Sequence, residues 1–455
     1  MDGNGIPYQR LSIYQTKARL YIVGYCKLRA TAALLKVSKQ EPTQLDVAEV
    51  VGHYSLEEIR AMLSQIHMAN AHLGGLQLVT HCCGIIGCFR FTETYYLLLV
   101  TRKAHVGSLC GGHRVYTVAA TALVPLHPGY QQAAGGQPSG AAEKRYVKLL
   151  MGMDLTKHFY FSYTYNLAHT VQRNCKAAQQ QQQGGPSCPT SPPSSPTPTP
   201  SSSDVYDSMF TWNAFLTAAL RRALGGNTRW TVPLIHGFWE QRRLSIYGRP
   251  LTLTLIARRS RHFAGTRFRK RGINDGGKVA NEVETEQVVD AGIDYRTRTP
   301  LLSSVVQVRG SVPLFWSQQL TALSPKPEII LQQFDPLYEV TSAHFADLES
   351  RYGAPAVVLN LLKSKERRAR EVLLRRELAS AIAQLNAQRG RAKQHIVYIP
   401  WDFSKHAKQS GANLLSELAA ITRLALDMTG LFVHNPAAPA AKRQQQQQLH
   451  RAHAA

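Results

Sequence analysis

The chain has 455 residues, which exceeds one ordinary domain and suggests two or three. Hydrophobic residues at 44% exclude a wholly disordered chain. Lys+Arg minus Asp+Glu is 53 − 29 = +24, a balance that favours anionic partners, either nucleic acid or an acidic membrane face. Charge alone does not separate such a partner from a generally basic composition. The Met1-Asp2-Gly3 start carries no apolar leader run, and the seven cysteines are an odd number, so a secreted disulfide scaffold is not expected.

Residues 8–175 read as an α+β module. Alternation over residues 18–23 predicts a strand. Ser55-Leu56-Glu57-Glu58 is a capping box that opens an amphipathic helix, with Leu56, Ile59, Leu63 and Ile66 on one face. His81, Cys82, Cys83 and Cys88 lack the second cysteine pair that a zinc site needs, so they read as buried thiols in a strand. Residues 84–91 and 94–101 predict a hairpin, and 114–119 a further antiparallel strand. Arg90 and Glu93 interrupt the longest apolar run, which is too broken to cross a bilayer. A Gln/Ala/Gly-rich insertion is expected at 131–142, and 159–165 is strongly β-prone. A Gln/Pro/Ser/Thr tract over 176–203 has the composition of a disordered linker.

The second module spans 204–435. Its apolar run at 356–362 suits a buried strand. A helix is predicted over 365–388, with Val372, Leu374, Leu378, Ile382 and Leu385 mostly on one stripe. A strand at 394–400, a helix at 413–428 closed by Gly430, and a strand from 431 follow. That alternation is the pattern of a parallel sheet with crossover helices. Asp402, just beyond the second strand, either orients a proton donor or caps the next helix. The basic run from Lys363 to Arg376 reads as a solvated helix face that also suits an anionic membrane. Residues 436–455 are a low-complexity tail.

The most specific signal lies between residues 236 and 317. It holds His236-Gly237-Phe238, Tyr247-Gly248-Arg249-Pro250, Arg258-Arg259-Ser260, Ala264-Gly265-Thr266-Arg267 and Lys270-Arg271-Gly272. Val279-Ala280-Asn281-Glu282-Val283-Glu284-Thr285-Glu286-Gln287 and Arg309-Gly310-Ser311-Val312-Pro313-Leu314-Phe315-Trp316-Ser317 complete it. In this order the blocks resemble the Sac-domain phosphoinositide phosphatases, as does Phe161-Ser162-Tyr163-Thr164-Tyr165-Asn166-Leu167. The wording of residues 280–287 resembles the branch that acts on phosphatidylinositol 3,5-bisphosphate.

That resemblance implies an α+β N-terminal subdomain followed by an incomplete α/β catalytic domain with a mostly parallel sheet. It implies removal of the 5-phosphate through a cysteinyl-phosphate, formed by a thiolate and supported by an Arg six positions later. It implies no cofactor and no metal, a phosphoinositide headgroup on an anionic membrane surface, and a peripheral place on the cytoplasmic side of endosomal or vacuolar membrane. A helical-repeat scaffold and the phosphatidylinositol 3-phosphate 5-kinase are the partners it implies. None of the seven cysteines has Arg at that offset, so no catalytic residue is assigned. The expectation is a truncated, inactive polypeptide whose catalytic loop would follow the strand at 431–433. The alternative is a non-catalytic regulatory or scaffold-binding protein. Nucleic acid is not expected, because no binding module or exposed aromatic interleaving accompanies the charge. No phosphate-binding loop of the nucleotide type and no hydrolase or zinc-protease motif is present.

The candidate ligand contacts are Arg267, Lys270, Arg271 and Arg309. The first three belong to a basic cluster with Arg258, Arg259, Arg261 and Arg269. Guanidinium forks suit phosphate oxygens, but a solvated strand edge with structural ion pairs fits the cluster equally. Glu282, Glu284 and Glu286 alternate onto one side of a strand, which requires solvation or pairing, and the arginines just upstream are the expected partners. The Gly310-Ser311 turn is either an anion nest or a plain structural turn, and Trp316 is core or an interdomain contact.

Overall fold

Period-two alternation at the start of the chain builds strands β1 (Arg10–Gln15), β2 (Arg19–Cys26) and β3 (Thr31–Ser38) in a computed structural model. The described residues are 5–52, 54–127, 139–183, 205–265, 270–293, 300–318, 328–332, 335–368, 370–388, 395–408 and 413–434. They divide into two compact units, residues 1–242 with 254–258, and 243–253 with 259–455.

In the first unit, β4 (Val47–Glu49) and β5 (Gln77–Cys82) complete an antiparallel sheet of order β4-β3-β2-β1-β5. Leu11, Ile13, Leu20, Ile22, Leu35 and Val37 point to one side and pack with Tyr8 and Trp230. Tyr21, Val23 and Leu34 point to the other, where helix α1 (Leu56–Ala69) covers them with Ile59, Met62, Leu63 and Ile66. The predicted capping box is present: Glu58 N donates to Ser55 Oγ at 3.2 Å and Ser55 N donates to Glu58 Oε2 at 2.7 Å.

A second antiparallel sheet begins with β6 (Gly84–Arg90), β7 (Tyr95–Leu109) and β8 (His113–Pro125). The expected hairpin and third strand are therefore present, with β7 and β8 running further than predicted. Helix α2 (Ser139–Met151) follows, so the end of the expected low-complexity insertion is helical, and residues 128–138 lie outside the described residues. Strand β9 (Phe159–Phe161) uses only part of the β-prone run. Ser162 Oγ donates to Arg114 O at 2.8 Å and Tyr163 OH donates to Cys83 O at 2.6 Å, which turns the chain off the ladder. Helix α3 (Val171–Gln183) continues into the head of the expected linker, and residues 184–204 lie outside the described residues. Helix α4 (Ala214–Ala223) precedes the hairpin of β10 (Ile235–Ile246) and β11 (Arg249–Arg259), and β10 pairs antiparallel with β9.

The second unit departs from the expected parallel sheet. Strands β12 (Val283–Ile293) and β13 (Pro300–Arg309) are antiparallel, in register from Val283↔Arg309 to Asp290↔Leu302. The short strands β14 (Trp316–Gln318) and β15 (Ile329–Leu331) are also antiparallel. Helix α5 (Glu339–Tyr352) then leads to β16 (Ala356–Asn360). Helix α6 (Glu371–Gln388) connects it to β17 (Ile396–Pro400), and this strand pair is parallel. Helix α6 starts six residues later than predicted but buries the expected Leu374, Leu378, Ile382 and Leu385 with Trp316 and Phe345. A short helix α7 (Phe403–His406) and helix α8 (Leu414–Thr429) follow. Strand β18 (Phe432–His434) pairs antiparallel with β13, Leu302↔His434, instead of extending the parallel pair. An apolar strand after a helix specifies burial but not which sheet it joins, and here it joins a distant antiparallel edge. No described helix is long and apolar enough to cross a membrane.

Candidate phosphate-binding site

The glycines and basic residues between 236 and 317 serve several separate structural tasks. At Gly237 a Cβ would lie 1.9 Å from Ala257 O, so the backbones of β10 and β11 approach as only glycine permits. Arg258 is fully buried, and its guanidinium donates to Leu167 O at 2.5 Å and His169 O at 3.0 Å. It anchors the end of the segment after β9. Arg259 Nη2 donates to Gly265 O at 2.8 Å and also to Asn281 Oδ1. The head of the basic cluster is thus committed to holding the chain.

Residues 270–282 and 310–316 are woven together by backbone hydrogen bonds. Ala280 N donates to Gly272 O at 2.8 Å, Ser311 N to Ala280 O at 3.0 Å, and Ile273 N to Leu314 O at 3.0 Å. Gly272 N donates to Ser311 Oγ at 2.8 Å. Gly272 has φ +71°, and a Cβ there would meet Leu314 O at 2.5 Å. Asn281, at φ 56°, turns its Oδ1 to accept from Gly265 N at 3.1 Å. The Ser311 N–H is consumed in this weave, which fits the structural-turn reading of Gly310-Ser311.

The weave sets the backbone segments that carry Lys270, Arg271 and Arg309 close to one another. Gly272, next to Arg271, donates to Ser311, two residues beyond Arg309, and Arg309 itself pairs with Val283. Lys270 is exposed, with its ammonium 4.8 Å from the centroid of the Phe263 ring. Arg271 is half-buried, its Nε donating to Gln318 Oε1 at 3.0 Å and its guanidinium lying over the Trp316 ring at 5.4 Å. Arg309 is exposed at the end of β13. Arg267 lies outside the described residues. Trp316 is buried core of its own unit.

Two of the buried carboxylates, Glu282 and Glu284, take partners on helix α5. Arg351 Nη2 on α5 donates to Glu282 Oε1 at 2.6 Å and to Asp347 Oδ2 at 2.8 Å. Lys278 Nζ donates to Asp347 Oδ1 at 2.9 Å, and Tyr352 OH donates to Glu284 Oε2. Burial pushes the Glu282 carboxyl above its usual range, against the pull of Arg351. Glu286 is fully buried as well. Arg351, Tyr352, Asp347 and Lys278 escaped the sequence reading. The Asp347/Arg351 spacing of four residues was the available signal, but nothing in it named Glu282 as the third member.

Asp402 caps α7, accepting from Lys405 N at 2.9 Å and from Ser364 N at 2.6 Å. Burial raises its pKa, but the hydrogen bonds from Ser364 and Lys405 outweigh that and hold it at about 2. It is a permanent anion with a structural task. Cys82 and Cys88 are buried, and burial pushes both thiols up to about 12, far from thiolate chemistry.

The chain belongs to the SacI homology domain family, whose model matches residues 83–408. It is 43% identical over 435 residues to phosphatidylinositol-3-phosphatase SAC1 of Arabidopsis thaliana, covering 95% of this chain and 44% of that protein. It is 38% identical over 411 residues to the polyphosphoinositide phosphatase of Schizosaccharomyces pombe, covering 89% and 46%. With phosphatidylinositol-3-phosphatase SAC1-B of Danio rerio it shares 29% identity over 356 residues, covering 77% and 53%. The chain thus spans about half the length of the curated relatives it matches.

Proposed function

We propose that this chain supplies headgroup recognition to a Sac phosphoinositide phosphatase whose complete form removes the 5-phosphate of phosphatidylinositol 3,5-bisphosphate. The observation that carries the reading is the hydrogen bond from Gly272 N to Ser311 Oγ, which holds the backbone beside Lys270 and Arg271 against the backbone beside Arg309. A headgroup with two ring phosphates needs several donors at once, and charge-assisted hydrogen bonds from guanidinium and ammonium groups meet that need. The name of the S. pombe relative supports a multiply phosphorylated substrate, and that of the A. thaliana relative sets the rival, a 3-phosphate alone. The covalent step requires a thiolate with an Arg six residues later, a pair these 455 residues do not carry. A peripheral place on endosomal or vacuolar membrane, with a helical-repeat scaffold and the lipid 5-kinase nearby, fits this reading.

Calorimetric titration of the chain with short-chain lipids tests it. The 3,5-bisphosphate is expected to bind more tightly than the 3-phosphate. The Lys270→Gln and Arg309→Gln variants should each lose about tenfold, the worth of one charge-assisted contact. Equal binding of the two lipids overturns the bisphosphate specificity. Unchanged binding by both variants overturns the site.

A further inference from the structure

The end of the β10–β11 hairpin carries a feature that the phosphate site does not use. Tyr247 and Gly248 form its two-residue turn, both at positive φ, 48° and 75°. Tyr247 is fully exposed at 102%, and Leu244 and Ile246 are exposed at 43% and 53%. Strand alternation places Leu244 and Ile246 on one side of β10 and Arg243 on the other. Arg249 follows the turn, and residues 243 and 249 are both exposed. Among the described residues no acidic group is ion-paired with Arg243 or Arg249.

A positive φ is uncommon for an aromatic residue, and a plain solvent turn is better served by Asn or Asp. Here the left-handed position puts a fully exposed aromatic residue at the apex, with Leu244 and Ile246 exposed just before it and Arg243 and Arg249 exposed on the two arms of the hairpin. That combination is poor for water alone. It suits the boundary of a lipid bilayer, where an amphipathic ring sits at headgroup depth, aliphatic chains reach the acyl region and arginines meet lipid phosphates.

We propose that the tip of this hairpin, Arg243 to Arg249, is a membrane-docking element that inserts Leu244, Ile246 and Tyr247 into an anionic bilayer. It rests on the lipid-substrate reading for its partner, but not on which phosphoinositide is recognised. The charge complementarity of Arg243 and Arg249, within a chain of net charge +24, chooses an anionic lipid surface over an apolar protein groove.

Co-sedimentation of the full chain with phosphatidylcholine/phosphatidylserine vesicles, free of phosphoinositide, separates this proposal from headgroup specificity. The expected result is binding to mixed vesicles and little to phosphatidylcholine alone. A Leu244→Ser/Ile246→Ser double variant and an Arg243→Gln/Arg249→Gln double variant should each bind about tenfold less. A Tyr247→Trp variant, whose side chain projects into solvent, should gain fluorescence quenched by brominated lipid. Undiminished binding by both double variants, or no quenching of the new tryptophan, overturns the proposal. So does a sedimentation-velocity result in which the aliphatic double variant loses self-association while keeping its vesicle binding.

Discussion

Arg351 Nη2 lies 2.6 Å from Glu282 Oε1, joining helix α5 to the residue that precedes β12 across 69 positions of sequence. Glu282 is fully buried and the Arg351 side chain is 18% exposed. A buried pair is weak as a net source of stability, but removing one partner leaves the other charge uncompensated. Arg351→Met should therefore destabilise the second unit by about 3 kcal/mol, read from urea unfolding. The Arg351→Met/Glu282→Leu double variant should recover part of that loss. A single-variant effect within about 0.5 kcal/mol would show that the pair carries no structural burden.

The Gly237 position is expected to be intolerant for a different reason. A methyl group there would occupy the space of Ala257 O, 1.9 Å away, and the carbonyl belongs to a strand that cannot yield without breaking its ladder. Gly237→Ala should cost about 3 kcal/mol, at the upper end of overpacking penalties. Gly248→Ala is the useful control, since nothing lies within 4 Å of its Cβ and only its φ of 75° opposes the change. Equal melting temperatures for the Gly237 variant and the parent chain would contradict the close-approach argument.

Local periodicity made much of this fold legible. The capping box at Ser55, the hairpin of β6 and β7, and the buried stripe of α6 are all decided within a dozen or so neighbouring residues. Partners far apart in sequence were not legible. The run at 432–434 reads as a strand, yet which sheet edge accepts it depends on where α8 delivers the chain. The three glutamates were visibly in need of partners, but that Glu282 would find Arg351 on α5, 69 positions away, was not readable from its neighbours. Within the candidate site, Lys270 and Arg309 remain available on the surface. Arg258 and Arg259 proved to be braces, a distinction that composition cannot make.

Catalysis offers a direct check on the chemistry. No cysteine of the chain is followed by Arg six positions later, and the described Cys82 and Cys88 thiols are held protonated by burial. The 455-residue polypeptide should bind phosphoinositides without releasing phosphate. Malachite-green detection of phosphate from a panel of lipid substrates tests this. Turnover above the background of a mock preparation, and reduced in the Lys270→Gln variant, would reveal a nucleophile outside the cysteine scheme.

Two buried histidines set the expected pH dependence. Burial lowers His344 from 6.5 to about 4, helped by the nearby Arg351 charge. Burial likewise lowers His169 to about 3, with Arg173 and Arg258 adding to the effect. Both are bases with depressed folded pKa values, so each is neutral in the folded chain while the unfolded chain takes up a proton below 6.5. Their stabilising contribution is complete above 6.5 and is lost as pH falls towards 4 for His344 and 3 for His169. Glu282 acts in the opposite sense, because burial raises its folded pKa above 4.5, so it offsets part of the loss. Between about pH 7.5 and about pH 5.5 the histidines dominate, each contributing about 1.4 kcal/mol to the fall in unfolding free energy. Urea unfolding followed by tryptophan fluorescence at these two pH values measures the fall. Replacing His344 by Gln should remove about half of it, and replacing His169 by Gln the other half. A fall unchanged in both variants would assign the acid sensitivity to other groups.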